Sequence, residues 1–183
     1  MRLMDERKSM PTAQSEVKRM KTMMKALLLA LILMMLCSYA LAQSAVVDNG
    51  SDPSSRLNMR SAPSRDAGAL GKFVSGTEVS ILEDAGDGWS KVSIGGARHA
   101  FTGYMMTQYL HAGSAVDARE TRSVVSPYGT PAVVLRDKPS NSYGAVMMLA
   151  VGERVTVIGV SGDFCYVLAA DGSAGCLLSS ELK

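Results

Sequence analysis

Apolar and polar residues alternate with a period of two at several places along the chain, and that period predicts strands with one face buried. Leu57 and Met59 flank Asn58, and in Val133-Val134-Leu135 an apolar residue again recurs two positions on. The same spacing recurs at Val79 and Ile81, at Val92 and Ile94, and at Val155 and Val157, while Val155-Thr156-Val157-Ile158-Gly159-Val160 is strongly β-branched. Breakers lie between these runs. Pro63 and Pro139 each remove a ladder donor just after a strand. Asp48-Asn49-Gly50 and Asp52-Pro53 are turn signals, and Gly95-Gly96 and Asp171-Gly172 read as hairpin turns. Beyond residue 45 no run of ten residues has a helical period, so the expected fold class is all-β.

These strands repeat. Leu57-Asn58-Met59-Arg60-Ser61-Ala62-Pro63-Ser64 returns as Val133-Val134-Leu135-Arg136-Asp137-Lys138-Pro139-Ser140, and Gly76-Thr77-Glu78-Val79 returns as Gly152-Glu153-Arg154-Val155. Further on, Trp89-Ser90-Lys91-Val92 lies over Phe164-Cys165-Tyr166-Val167, and Gly103-Tyr104-Met105 with Leu110 over Gly175-Cys176-Leu177 with Leu182. The opening strands align as Val46-Val47 with Val124-Val125. Self-similarity at a long fixed period implies a duplicated unit, here two modules of about sixty residues at 45–110 and 123–183, joined by an Ala/Gly/Ser linker at 111–122. Each is expected to form a small barrel of about five or six short strands. A domain of that size is marginal for its own core, so docking of the two would help both.

With those residues in view, each module resembles a bacterial SH3 (SH3b) domain. That family's pattern is a strand of the type Leu-Asn-Val-Arg, a Gly/Pro/Ser loop, a Gly-x-x-Val-x-Val-Leu strand, a Gly-Trp-x-Lys-Val strand, and a closing Gly-Trp-Val before a short turn and Tyr-Leu. The first module follows it from Leu57 to Leu110, with Tyr104 at the second Trp place. The second departs at both Trp places, carrying Phe164 and Cys176. The resemblance implies two tandem SH3-like β-barrels and a ligand from the cell wall, peptide or glycan. It also implies a groove between the long first loop and a hairpin, floored by aromatics. The groove candidates of the first module are Trp89, Tyr104 and Tyr109, with Arg60 and Arg65 as donors. In the second module they are Phe164, Tyr166 and Tyr143. For Trp89 and Phe164 a place in the core is favoured over the groove, because large aromatics in small barrels are mostly buried. The apolar run Val146-Met147-Met148-Leu149 suggests that the second module packs against the first, leaving ligand contact to the first.

The N-terminal 42 residues follow a different rule. Residues 1–20 alternate charge with small polar groups and are expected to be disordered. From Ala26 to Cys37 twelve consecutive residues are apolar, preceded by Met20-Lys21-Thr22-Met23-Met24-Lys25 and followed by Ala40-Leu41-Ala42. This is the form of a secretory signal at 20–42, with Met20 a possible start and cleavage expected between Ala42 and Gln43. The alternative is an uncleaved membrane anchor, although twelve residues are short against the ~20 that span a bilayer. Lipoprotein processing at Cys37 is disfavoured by the bulk of Leu36.

Export changes the charge argument. The leader holds seven Lys/Arg against three Asp/Glu, so its removal takes the net charge from +2 to −2. No cationic footprint remains that would suggest nucleic acid. Of the chemistry-bearing residues, Cys165 and Cys176 flank a hairpin. They form a disulfide if its loop is four residues long, or are free core thiols. A Cys–His hydrolase needs a catalytic domain for which 43–183 leaves no room, and His99 and His111 have no ligand-spaced partners for a metal. Neither a Gly-x-Ser-x-Gly elbow nor a phosphate loop is present, and no cofactor is expected. The expectation is an exported, non-catalytic protein that attaches to peptidoglycan or another envelope component. The alternatives are a structural or accessory envelope protein that binds a partner protein, and a remnant of a cell-wall hydrolase.

Overall fold

The computed structural model describes residues 17–25, 27–28, 43–50, 52, 54–113 and 117–183. It divides into two units, Met1–Leu41 and Ala42–Lys183. In the first unit residues 17–25 and 27–28 are helical and exposed, and Thr22 Oγ1 donates to Lys18 O at 2.9 Å. Residues 17–20, expected to be disordered, are thus helical, in keeping with the helix preference of Lys, Arg and Met. Most of the expected apolar run, and Ala42 of the expected cleavage site, lie outside the described residues. Among the described residues no helix is long and apolar enough to cross a membrane.

The second unit is all-β. Its first half comprises β1 (Gln43–Val47), β2 (Arg56–Arg60), β3 (Ala69–Val74), β4 (Glu78–Gly86), β5 (Trp89–Gly96) and β6 (His99–Met106). A 3-10 turn at Thr107–Tyr109 leads into β7 (Leu110–His111). The second half comprises β8 (Glu120–Ser123), β9 (Ala132–Arg136), β10 (Ala145–Ala150), β11 (Arg154–Ser161), β12 (Phe164–Leu168) and β13 (Ala174–Leu178). It ends in a 3-10 turn at Ser179–Glu181. In the first half β4, β5 and β6 form a meander, β1 pairs with β4 and β7, and β2 pairs with β3 and, through Arg60↔Tyr104, with β6. In the second half β11, β12 and β13 form the meander, β8 pairs with β11, and β9 pairs with β10 and, through Arg136↔Cys176, with β13.

Positions that match in sequence therefore pair alike. Gly103 lies so near Met59 and the Arg60 carbonyl that an added Cβ would stand 2.6 Å from Met59 Cγ, and Gly175 lies against Leu135 in the same way. The opening strands need a correction of one residue. Val47 N donates to Thr77 O and Gly76 N to Val47 O, while Val124 N donates to Glu153 O and Gly152 N to Val124 O, each at 2.8 or 2.9 Å. Val47 thus matches Val124, not Val125. Two adjacent valines leave a one-residue slip undetermined, and only the buried face decides it.

The halves share one continuous sheet, because β3 pairs with β11 at Phe73↔Gly159 and Lys72↔Val160. Val47, Met59, Phe73, Val92, Ile94 and Met105 form one core, and Ile158, Tyr166 and Cys176 of the second half complete it. Val124, Leu135, Leu149, Val155, Val167 and Leu177 form the other. Each fully buried Val, Leu, Ile or Phe contributes roughly 1.5–3 kcal/mol. β12 lies between the two cores, with Tyr166 facing one and Cys165 and Val167 the other. This explains why Phe164-Cys165-Tyr166-Val167-Leu168 is a continuous apolar run, as expected of a strand covered on both faces.

Two further expectations are corrected. The β5–β6 turn is at Ala97-Arg98, not Gly95-Gly96, because Gly95 and Gly96 still pair with Ala100 and His99. Contacts to the second half hold the longer hairpin: Gly96 N donates to Gly172 O at 3.0 Å, and His99 Nδ1 donates to Ala174 O at 3.0 Å. The run at 146–149 is not the docking surface either. Leu149 is buried in the second half's own core, and Met148 on β10, the strand at one end of the sheet order, is 57% exposed.

Candidate functional site

A groove of about 340 Å³ opens in the first half, and Arg60, Arg65, Trp89 and Tyr109 all line it. Those residues are up to 49 positions apart in the chain, and three features bring them together. Arg60 ends β2, and its Nη1 donates to Ala67 O at 2.6 Å while Ser61 N donates to Gly68 O at 3.0 Å, so the loop that carries Arg65 folds back over the strand end. Trp89 begins β5, with only 6% of its surface exposed, and serves both core and groove wall. Tyr109 closes the 3-10 turn. That turn is held by Thr107 N to Gly88 O at 2.8 Å, by the shared hydrogen bond of Ser90 Oγ and Thr107 Oγ1 at 2.8 Å, and by Asp48 N to Tyr109 O at 2.9 Å. Tyr104 is not in the groove wall. It sits half-buried on β6 between Arg60 of β2 and Lys91 of β5.

Asn49, Arg56, Asn58 and Met106 also line the groove and were not among the sequence candidates. Asn49 reaches it because its Nδ2 donates to Ser55 O at 3.4 Å and Phe73 O at 3.3 Å, which straps the segment before β2 onto the barrel. The signal for Asn58 was available, since a polar residue between Leu57 and Met59 must face away from the core. Its Oδ1 is buried without a hydrogen-bond partner, the one such side-chain atom among the described residues. A carbonyl oxygen left so costs about 1–3 kcal/mol, which a donor on a bound molecule would recover.

The aromatic candidates of the second half are placed differently. Tyr166 is buried against the first half, where burial raises its phenol pKa well above the usual range. Phe164 packs on the first core, and Tyr143, 42% exposed, lies under the Arg136 guanidinium at 4.9 Å. Arg136 and Glu181, 9% and 4% exposed, form a bidentate ion pair of 2.6 and 3.0 Å.

Cys165 and Cys176 are free, buried thiols, not a disulfide. Ala169 N donates to Ser173 O at 3.0 Å, so the loop holds residues 170–172, three rather than four or two. Cys176 then opposes Tyr166 and Cys165 opposes Leu177, which points the sulfurs to opposite faces of the sheet. Burial pushes the Cys176 thiol up to about 12. Among the described residues no cluster of His, Cys, Asp and Glu could hold a metal.

A larger hollow of about 720 Å³ lies where the β5–β6 hairpin meets the β12–β13 loop. Its cation, Arg119, is already bound to Asp117 at 2.8 Å and Glu78 at 3.4 Å. The smaller groove differs in combining the aromatic residues Trp89 and Tyr109 with Arg60 and Arg65, which meet no acidic side chain among the described residues.

Residues 55–111, from the approach to β2 through β7, match the bacterial SH3 domain, and the chain carries a domain of that family there. Over 119 residues, 61% of the chain, it is 25% identical to a putative N-acetylmuramoyl-L-alanine amidase of Bacillus subtilis (strain 168), and it spans 22% of that relative. Among solved structures, NlpC1 from Trichomonas vaginalis aligns over 80% of this chain and 47% of its own length, at 16% identity and a TM-score of 0.36. An NlpC/P60 family protein from Bacillus cereus ATCC 10987 aligns over 77% and 56%, at 14% identity and a TM-score of 0.31.

Proposed function

We propose that this protein is exported and attaches, without catalysis, to cell-wall peptidoglycan or another envelope component through the groove of its bacterial SH3 domain. The observation that carries the reading is the convergence of Trp89, Tyr109, Arg60 and Arg65 on one groove within residues 55–111. The amidase relative supports a wall ligand by its name. Export is supported by the position of β1, since cleavage after Ala42 leaves every strand among the described residues whole. The paired strands and matching glycines support a second, divergent copy of the module at 123–183, whose part is to complete the first core. Two buried thiols on opposite faces, and a His99 engaged with the Ala174 carbonyl, favour a non-catalytic role.

Co-sedimentation with purified sacculi tests the reading. Retention that is lost on Tyr109→Ala is expected. A protein that stays in the supernatant would instead fit recruitment by a partner protein. The amidase relative also leaves a hydrolase remnant as a second reading, and clearing in a zymogram would favour it.

A further inference from the structure

The two halves solve the same corner differently. In the second, Glu181 is the third residue of the closing 3-10 turn, and Arg136 binds its carboxylate through Nη1 and Nη2. Leu178 N adds a third donor to Glu181 Oε2 at 2.8 Å. In the first half Arg60 matches Arg136, but the third residue of the turn is Tyr109. The backbone donor has its match too. Trp89 pairs with Met106 as Phe164 does with Leu178, and Thr107 N donates to Gly88 O as Ser179 N does to Asp163 O. Antiparallel alternation therefore turns the Met106 N–H, like that of Leu178, away from its hairpin partner.

The first half thus keeps the carboxylate-binding donors and lacks the carboxylate. Among the described residues no acidic side chain pairs with Arg60, whose bond is to Ala67 O. A second difference lies beside it. Asn58, with its buried and unpartnered Oδ1, stands where the second half has Val134, so the open half alone carries an acceptor for an N–H. A carboxylate for Arg60 and an N–H for Asn58 are both found in a peptide.

We propose that the groove binds a peptide carboxylate at Arg60, in the position that Glu181 fills in the second half, with a peptide N–H donated to Asn58 Oδ1. This rests on the reading of the groove as a binding site and names its ligand chemistry. Arg136–Glu181 is the internal version of the complex. The second half closes its own corner, and the first leaves it for a ligand.

The test uses the full-length chain and the emission of Trp89, its one tryptophan, which lines the groove. The probes are N-acetyl-alanyl-alanine, in L,L and D,D forms, and the C-terminal amides of both. At least one acid should bind saturably and about ten-fold or more tighter than its amide, as a charge-assisted bidentate contact implies. Arg60→Gln should erase that preference. Tyr109→Glu, which retains Arg60, should abolish binding of the acid with no loss of thermal stability, because the internal carboxylate then occupies the site. Equal affinity for acid and amide, no saturable response to either acid, or undiminished binding by Tyr109→Glu overturns the proposal. Sacculi assayed in parallel keep the two readings apart. Retention without acid preference overturns the carboxylate site and leaves wall attachment standing, and acid preference without retention does the reverse.

Discussion

The Tyr166 hydroxyl donates to the Leu70 carbonyl oxygen at 2.5 Å, from β12 of one half to β3 of the other. The Tyr166 ring also packs on Phe73 at 4.9 Å and on the edge of Phe101 at 4.8 Å, so one side chain closes the joint by both a polar and an aromatic contact. Tyr166→Phe should cost about 0.5–1.5 kcal/mol for the lost hydrogen bond. Tyr166→Ala should cost about 3–5 kcal/mol, because it opens a cavity in the first core. Urea unfolding followed by Trp89 emission reads both. A negligible effect of Tyr166→Ala would mean that the first half completes its core without the second.

The buried ion pair gives an asymmetric expectation. Glu181→Gln leaves Arg136 charged and poorly paired, and should destabilise the unit by about 3–5 kcal/mol. The double variant Arg136→Met, Glu181→Leu should recover most of that loss. Thermal melts of the single and double variants check this, and additive losses would contradict it.

For the groove, Tyr109→Ala should weaken sacculus binding by about 1–3 kcal/mol. Tyr143→Ala should change it little, since Tyr143 lies under Arg136 in the half whose corner is already filled. The reverse pattern in co-sedimentation, with both variants folded, would assign the ligand to the other half.

The Cys176 thiol predicts alkaline sensitivity. The folded-state pKa of Cys176 is raised from the ordinary 9.0 to about 12, so the unfolded chain releases this proton first. The stability this group contributes is whole below about 9 and is lost as the pH rises toward about 12. Cys176→Ala should flatten the stability profile above pH 9, and a profile equally steep in wild type and variant would refute the assignment. Non-reducing peptide maps should show Cys165 and Cys176 unbridged.

At the N-terminus, protein recovered outside the cytoplasm should begin at Gln43. Sequencing of its first residues checks this, and a full-length product held in the membrane would contradict it.

The all-β class was legible in the sequence, because period two, Gly/Pro punctuation and the Leu57-to-Arg60 pattern are local signals. Arg60, Arg65, Trp89 and Tyr109 were named through the family resemblance, and the four line one groove. Tyr104 was named with them but lies outside the groove wall, because β6 is flanked there by Arg60 of β2 and Lys91 of β5, and the sequence does not say which strands will flank a residue. The turn at Ala97-Arg98 and the burial of Tyr166 depend on contacts between residues 70 or more positions apart, whereas the loop length that sets Cys165 and Cys176 one place out of register is closed by the bond from Ala169 N to Ser173 O, which Asp171-Gly172 alone did not specify. Alternation says that a strand has two faces and which residues share each. What covers a face is decided by chain that arrives from far away, and here β12 turned Tyr166 toward the first half's core and Cys165 toward its own.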